Sequence, residues 1–310
     1  INPDLTAGVD LTQARRLRDN LDICFMGPSA KAPFDIDYNI AHKMVSAPPN
    51  PNGRPNADVV RPVASAVDLT QRSRNKWTID FALMPLEEAA QYELPFEYIK
   101  KHVYPVRSQN RRIAYAQKWW QYAEARPGMR AAVEGKSRYI ATPGVSKHRV
   151  FVWMKPEVLC NQGTLVFARD DYYFFGVIHS KAHELWARGT GTQLREAESG
   201  FRYTPTSTFE TFPFPRPTPE QKEAIAQAAR ELNDKRESWL DPYKDEPSAI
   251  REDLKKRTLT NLYNERPTWL QLAHERLDRA VLDAYGWPHD ISDDDILAGL
   301  LEENLRREAA

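Results

Sequence analysis

The last hundred residues carry apolar side chains at helical spacing. A capping box at Thr218-Pro219-Glu220-Gln221 predicts a helix that begins at Pro219, and the apolar residues after it fall on one of its faces. The same spacing predicts further helices over 269–285 and 293–307. We therefore expect residues 216–310 to form a small all-α helical bundle.

Shorter apolar runs and many prolines mark the first 215 residues. The sequence predicts short strands at 138–141, 149–153, 164–168 and 172–177, and helices at 86–101, at 109–125 and up to about residue 187. Four prolines within 213–219 predict a stiff extended linker between the two parts. The expected fold class is α+β. A mixed α/β domain with short strands and long loops spans 1–215, as a connecting part (1–100) and a strand-rich core (101–215), and the helical bundle follows it.

Charge is balanced over the whole chain but not along its length. The chain has 43 Lys and Arg residues and 43 Asp and Glu residues, yet residues 100–155 contain 13 basic residues against two acidic ones, a local net charge of +11. Tyrosines and tryptophans lie between these basic residues, among them the adjacent Trp119 and Trp120, of which a helix would bury one. Such a stretch is typical of a surface that binds a polyanion such as nucleic acid. The alternative is a solvated basic face above buried aromatic residues.

Composition excludes several classes of protein. No run approaches the roughly 18 apolar residues of a membrane span, and no signal peptide is recognisable at the start of the chain. Two cysteines, Cys24 and Cys160, are too few for a disulfide framework or a cysteine-rich zinc site, so we expect a cytoplasmic protein. The chain begins at Ile1 without a methionine, which fits a piece of a longer protein.

Candidate catalytic motifs are weak. His179 and His183 are four residues apart, which predicts a shared helix surface, but no third metal ligand accompanies them. Glu134-Gly135-Lys136 could end a nuclease site, yet the upstream acidic residue is missing. An adenine methyltransferase needs an Asn/Asp-Pro-Pro-aromatic loop to hold the flipped base, and the nearest strings, Pro48-Pro49-Asn50 and Asp241-Pro242-Tyr243, have the wrong order. The sequence therefore favours a binding protein, with no catalytic, cofactor or metal residue in this chain.

Longer strings resemble a known family. Residues 202–215 (RYTPTSTFETFPFP), together with 173–186, resemble the end of the target-recognition domain in MmeI-like, type IIG adenine DNA methyltransferases and related phage-defence methylases. Residues 139–153 resemble the opening of its strand-rich core, 277–297 resemble the helical C-terminal segment, and 24–81 are similar to the stretch that leaves the methyltransferase core.

The resemblance implies a division of labour within a longer parent protein. In that family a class I methyltransferase domain, which binds S-adenosylmethionine, precedes the recognition domain. The resemblance thus implies that this chain reads double-stranded DNA. Methyl transfer to adenine, and in some members DNA cleavage, would belong to upstream domains of the parent, which are expected partners.

Two groups of residues are predicted to touch DNA. Sequence-specific reading needs forked or bidentate side chains, which the segment 191–202 supplies. This segment also resembles the region that carries the base contacts in MmeI-like proteins. The predicted base contacts are Gln193, Arg195, Glu196 and Arg202. The predicted phosphate contacts are Lys147, His148, Arg149, Arg107, Arg111 and Arg112. The alternative is that these charges pair with neighbouring residues and are structural.

Three other functions remain open at this point. The chain could be a metal-dependent nuclease that uses Glu134, or a scaffold whose helical bundle binds another subunit of a DNA-modification complex. It could also bind RNA, because both polymers present the same phosphate charge.

Overall fold

A computed structural model describes residues 9–193, 200–243 and 252–308, where short strands form three small sheets surrounded by helices. The strands are β1 (Cys24–Met26), β2 (Asp35–Ile36), β3 (Val60–Ala64), β4 (Trp77–Ile79), β5 (Tyr139–Pro143), β6 (Val145–Ser146), β7 (Val152–Met154), β8 (Leu159–Cys160), β9 (Thr164–Phe167), β10 (Thr192–Gln193) and β11 (Phe201–Arg202). The helices are α1 (Tyr38–Val45), α2 (Ala66–Thr70), α3 (Leu86–Ala89), α4 (Glu93–His102), α5 (Tyr104–Arg107), α6 (Ile113–Gln117), α7 (Pro127–Val133), α8 (Tyr172–His179), α9 (Lys181–Thr190), α10 (Pro219–Leu240), α11 (Leu259–Glu265), α12 (Thr268–Tyr285) and α13 (Asp293–Glu308). The expected α+β class is confirmed.

The three sheets have simple orders. The central sheet is antiparallel, in the order β1-β9-β5-β7. A second sheet has the order β2-β4-β3-β8, with β3 and β8 parallel. The third sheet has the order β10-β11-β6. Since only Gly144 separates β5 from β6, the chain passes directly from the central sheet into the third one.

Two apolar cores pack the sheets against the helices. One lies around the second sheet and contains Phe34, Ile79 and Tyr92. The other unites strands of the central sheet with α8, α9, α10 and α12, so residues on both sides of Pro215 share it. The contact between α8 and α10 is close, because a Cβ on Gly176 would lie 2.8 Å from Ile225 Cγ2. The boundary expected at residue 215 stays a prediction.

Most of the predicted elements in the helical bundle are confirmed. The Thr218 capping box is present, with Gln221 N donating to Thr218 Oγ1 over 3.3 Å. The helices predicted at 269–285 and 293–307 are α12 and α13. The strands predicted at 138–141 and 164–168 are also present, as β5 and β9, whereas the one predicted at 149–153 begins three residues later, as β7. These elements depend on local pattern and capping, which a sequence displays directly.

Three predicted elements are wrong. Residues 172–177 form helix α8 rather than a strand, because Asp171 caps the helix through Phe174 N (2.8 Å) and burial on nearly every side removes the helical periodicity. The helix predicted at 86–101 is broken into α3 and α4, and the one predicted at 109–125 is reduced to α6. As expected, Trp120 is buried and its neighbour Trp119 is partly exposed, although both follow α6 rather than lie within a helix.

The predicted histidine pair on a helix surface is also wrong. Ser180 ends α8 and caps α9, so His179 and His183 belong to two successive helices, and both are buried. His179 Nε2 accepts from Phe151 N (3.2 Å) and from Arg236 Nη1 (2.8 Å). A ring nitrogen with two donors must be unprotonated, and burial lowers the pKa of His179 well below its ordinary value.

The buried histidines make stability depend on pH. Burial lowers the pKa of His183 and of His274 to about 3. In the unfolded chain the same groups take up protons near pH 6.5. The stability that the neutral rings contribute is therefore complete above pH 6.5 and is lost as the pH falls from 6.5 towards 3. For each buried ring, the free energy of unfolding decreases by about 1.4 kcal/mol for every unit by which the pH falls within that window.

Denaturant unfolding at several pH values between 6.5 and 4.5 checks this expectation. His274→Gln should reduce the slope of the free energy of unfolding against pH by up to the equivalent of one proton. The reason is that glutamine, which does not titrate, replaces one of the buried rings. His42→Gln is the matched control, since His42 is exposed. Equal slopes in wild type and His274→Gln would contradict the expectation.

Candidate nucleic-acid interface

The third sheet brings together two segments that are about fifty residues apart in the chain. Thr192 pairs with Arg202 and Gln193 with Phe201 in the β10–β11 hairpin, while Arg202 pairs with Val145 of β6 on the other side. The segment predicted to read bases therefore lies beside the segment predicted to hold phosphates. Arg195 and Glu196 lie outside the described residues, and for Gln193 only the backbone is described.

Strand alternation directs Arg202 outward. Phe201 and Tyr203 on either side of it are buried, whereas Arg202 is exposed. Its strand neighbour Val145 is also exposed. Within the ranges that the structure describes, no side chain forms a hydrogen bond or an ion pair with the Arg202 guanidinium. The Arg202 guanidinium is therefore both exposed and unpaired within those ranges.

Lys147 and His148 lie in the turn that follows β6. Lys147 is exposed and His148 is half-buried. Lys147 Nζ donates to Asn264 Oδ1 over 3.1 Å, and His148 Nε2 lies 2.8 Å from the same oxygen. Ser146 Oγ donates to His148 O over 2.6 Å and tightens the turn. Both side chains thus meet one amide group of the helical bundle.

Arg149 lies inside the protein rather than on its surface. Its side chain donates to Thr142 Oγ1 (3.2 Å), to Pro143 O and to Phe201 O (3.2 Å). The guanidinium also covers the rings of Phe201 and Tyr203. Burial lowers the pKa of Arg149 to about 10. These contacts tie β5 to β11 and give Arg149 a structural task in the sheet.

Arg107 is likewise internal, with 0% of its surface exposed. Its Nη2 donates to Ala30 O (2.7 Å) and to Gln121 O (3.0 Å), and burial lowers the pKa of its guanidinium. Arg111 and Arg112 are exposed, and Arg112 Nη1 donates to Tyr115 Oη over 2.8 Å. Because these three arginines belong to the α5–α6 region, the structure does not bring them into the third sheet.

Asn264 was missed by sequence reasoning. It lies on α11 in the helical bundle, which is acidic because residues 216–310 contain 21 Asp and Glu residues against 15 Lys and Arg residues. It meets Lys147 only through a contact between residues 117 positions apart. Nothing in its local sequence predicts this contact.

Gly200 fixes the hairpin against β6. Its φ is +81°, a conformation that L side chains rarely adopt, and a Cβ there would lie 2.1 Å from Ser146 O. We therefore expect Gly200→Ala to separate β11 from β6 at a stability cost of roughly 1–3 kcal/mol, and to weaken the sequence preference that the resemblance predicts for DNA about tenfold or more. Competition binding with matched and mismatched duplexes measures the preference. The same substitution at Gly53, where φ is +76° and no atom lies within 4 Å of the added Cβ, controls for backbone strain alone. Equal preference in both variants would rule out this role for Gly200.

The described part of the chain, with its gaps at 194–199 and 244–251, contains no group of three or more His, Cys, Asp or Glu side chains arranged to hold a metal ion. Glu134 is exposed just beyond α7. Among the helices described, none is long and apolar enough to cross a membrane.

Comparison with known proteins adds three findings. The family model described as MmeI, target recognition domain, matches residues 49–216. A solved structure of the type IIL restriction-modification enzyme MmeI in complex with DNA has a TM-score of 0.74 and 20% identity, over 100% of this chain and 39% of that one. DNA methyltransferase A of Bacillus subtilis (strain 168) is 29% identical over 134 residues, which are 43% of this chain and 13% of that protein.

This chain therefore spans well under half the length of either relative. The family model covers more than half of the chain, and the resemblance inferred from residues 202–215 and their neighbours is confirmed. The chain belongs to the MmeI target recognition domain family.

Proposed function

We propose that this chain is the sequence-specific double-stranded DNA recognition module of a DNA-modifying protein. The observation that carries the proposal is the third sheet, where the exposed Arg202 lies on one hairpin beside the turn of Lys147 and His148. The major groove of DNA admits a two-stranded β-ribbon, and its edges present a different pattern of donors and acceptors for each base pair. The β10–β11 hairpin is such a ribbon.

The proposed DNA contacts are of two kinds, contacts to bases and contacts to phosphates. Arg202 and Arg195 would contact guanine, Gln193 adenine and Glu196 cytosine, following the pairings that side-chain geometry favours. Lys147 and His148 would hold phosphates and set the register of the hairpin, and Arg111 and Arg112 would extend the phosphate contact. Arg149 and Arg107 would support these surfaces from inside.

The parent protein would be an adenine-specific DNA methyltransferase of a restriction-modification or phage-defence system. S-adenosylmethionine would bind to its upstream methyltransferase domain, which would close on the other face of the duplex, and the cytoplasm would be its compartment. The names of the two relatives, a methyltransferase and a restriction-modification enzyme in complex with DNA, support this proposal.

Selection from a pool of random duplexes tests the proposal. The 310-residue chain is immobilised, retained duplexes are sequenced, and a short motif should be enriched. Arg306→Ala, on α13, is the control and should enrich the same motif. Retention with no motif would contradict sequence-specific recognition, and no retention would favour the scaffold function.

A further inference from the structure

Helix α11 of the helical bundle contacts both preceding segments of the chain, residues 1–100 and residues 101–215. At its start, Thr260 Oγ1 accepts from Gln71 Nε2 (2.7 Å), just beyond α2. Near its end, Asn264 Oδ1 meets Lys147 Nζ and His148 Nε2. The ring of Tyr263 lies 6.0 Å from that of His148. The end of α11 is thus fixed directly beside the turn that we propose to hold phosphates.

Arg266 lies at the same place. It caps α11 with φ +42° and ψ +61°, the left-handed region, and its N–H donates to Leu262 O over 2.8 Å. The side chain is exposed and lines a small surface pocket together with His148 and Glu184. Five other non-glycine residues among those described also have a positive φ, so this conformation fixes the end of α11 but does not by itself mark a functional site.

The acidic side chains near the end of α11 form no ion pair with Lys147 or Arg266 in the described part of the chain. Glu184 already accepts from Arg188 Nε (3.0 Å) and Nη2 (2.7 Å). Glu265 at the end of α11 is exposed, and the carboxylate of Asp278 on α12 acts electrostatically on Arg266 without forming an ion pair with it. Asn264 carries no charge, so it holds Lys147 Nζ by a hydrogen bond and not by an ion pair. Among the residues that the structure describes, no side chain forms a hydrogen bond or an ion pair with the Arg266 guanidinium.

We propose that the end of α11 is part of the DNA interface, where Asn264 is a positioning residue for Lys147 and His148 and Arg266 adds a phosphate contact. This inference rests on the proposed function. Holding a lysine before binding removes part of the entropy that would be lost when it meets a phosphate. An acidic helical bundle thereby contributes directly to a basic surface.

Salt titrations of duplex binding separate the two roles. Each phosphate contact adds about 0.9 to the slope of log affinity against log salt, so Arg266→Gln should lower the slope by about 0.9, as Lys147→Gln should. Asn264→Ala removes no charge. It should keep the slope and weaken binding roughly 2- to 10-fold, which is the expected effect of immobilising one long side chain on binding.

Two further variants guard against a merely structural effect. Asn264→Asp keeps the acceptor but places a carboxylate beside Lys147, and it should lower the slope although Asn264→Ala does not. Arg306→Ala should change neither slope nor affinity. All these residues are exposed, so the unfolding midpoints should match wild type.

The outcomes distinguish the inference from the function on which it rests. An unchanged slope for Arg266→Gln, with a lowered slope for Lys147→Gln, would overturn the phosphate contact while leaving the function intact. Unchanged affinity for Asn264→Ala would overturn the positioning role. Salt-independent binding by the wild type would overturn the proposed function itself.

Discussion

Arg149→Ala is expected to lower the free energy of unfolding by about 3 kcal/mol. The guanidinium satisfies Thr142 Oγ1 and the carbonyls of Pro143 and Phe201, and a buried acceptor left without a donor costs about 1–3 kcal/mol. The cavity beside Phe201 and Tyr203 adds to the loss, while relief from burying a charge offsets part of it. Denaturant unfolding measures the change.

Lys147→Ala is the matched control for this expectation. Lys147 is two residues away and exposed, so its removal should leave the unfolding midpoint unchanged. If Arg149→Ala unfolded at the wild-type midpoint and instead lowered the salt slope of DNA binding, Arg149 would be a phosphate contact and its internal hydrogen bonds would be dispensable.

Arg202→Ala is expected to reduce discrimination at one base pair of the target by about 10- to 100-fold. A bidentate contact to a base contributes roughly 1–3 kcal/mol of discrimination. Arg202 is exposed between the buried Phe201 and Tyr203, so its removal should leave the fold intact. Competition between the selected motif and its single-base variants measures the effect.

The control for Arg202→Ala is again Lys147→Ala, with the opposite signature. A phosphate contact contributes about equally to every sequence, so this variant should weaken binding uniformly and lower the salt slope. Uniform weakening by Arg202→Ala at every base variant would assign Arg202 to phosphate and would move base reading elsewhere.

The helical bundle shows how much of this fold local pattern determines. Capping by Thr218 and the amphipathic spacing of α12 and α13 are properties of neighbouring residues, so the sequence displays them. Helix α8 was mistaken for a strand because its residues are buried on nearly every side, and a continuous apolar run is consistent with either structure.

The candidate site depends on contacts that no local pattern reveals. The pairing of Arg202 with Val145 joins residues far apart in the chain, and so does the hydrogen bond from Lys147 to Asn264. Burial of Arg107 and Arg149 could not be predicted, because arginine is mostly exposed and is buried only where tertiary structure supplies acceptors. The sequence therefore predicted the segments of the candidate site, and the structure distinguishes the exposed arginines of those segments from the buried ones.

The salt dependence of binding to a random-sequence duplex tests the central claim most directly. The 310-residue chain is titrated at several salt concentrations, and the slope of log affinity against log salt counts phosphate contacts. With Lys147, Arg111, Arg112 and Arg266 exposed, we predict a slope of roughly −2 to −4, at about 0.9 for each contact. A slope near zero, or no binding at the lowest salt, would contradict a DNA-facing surface on this chain.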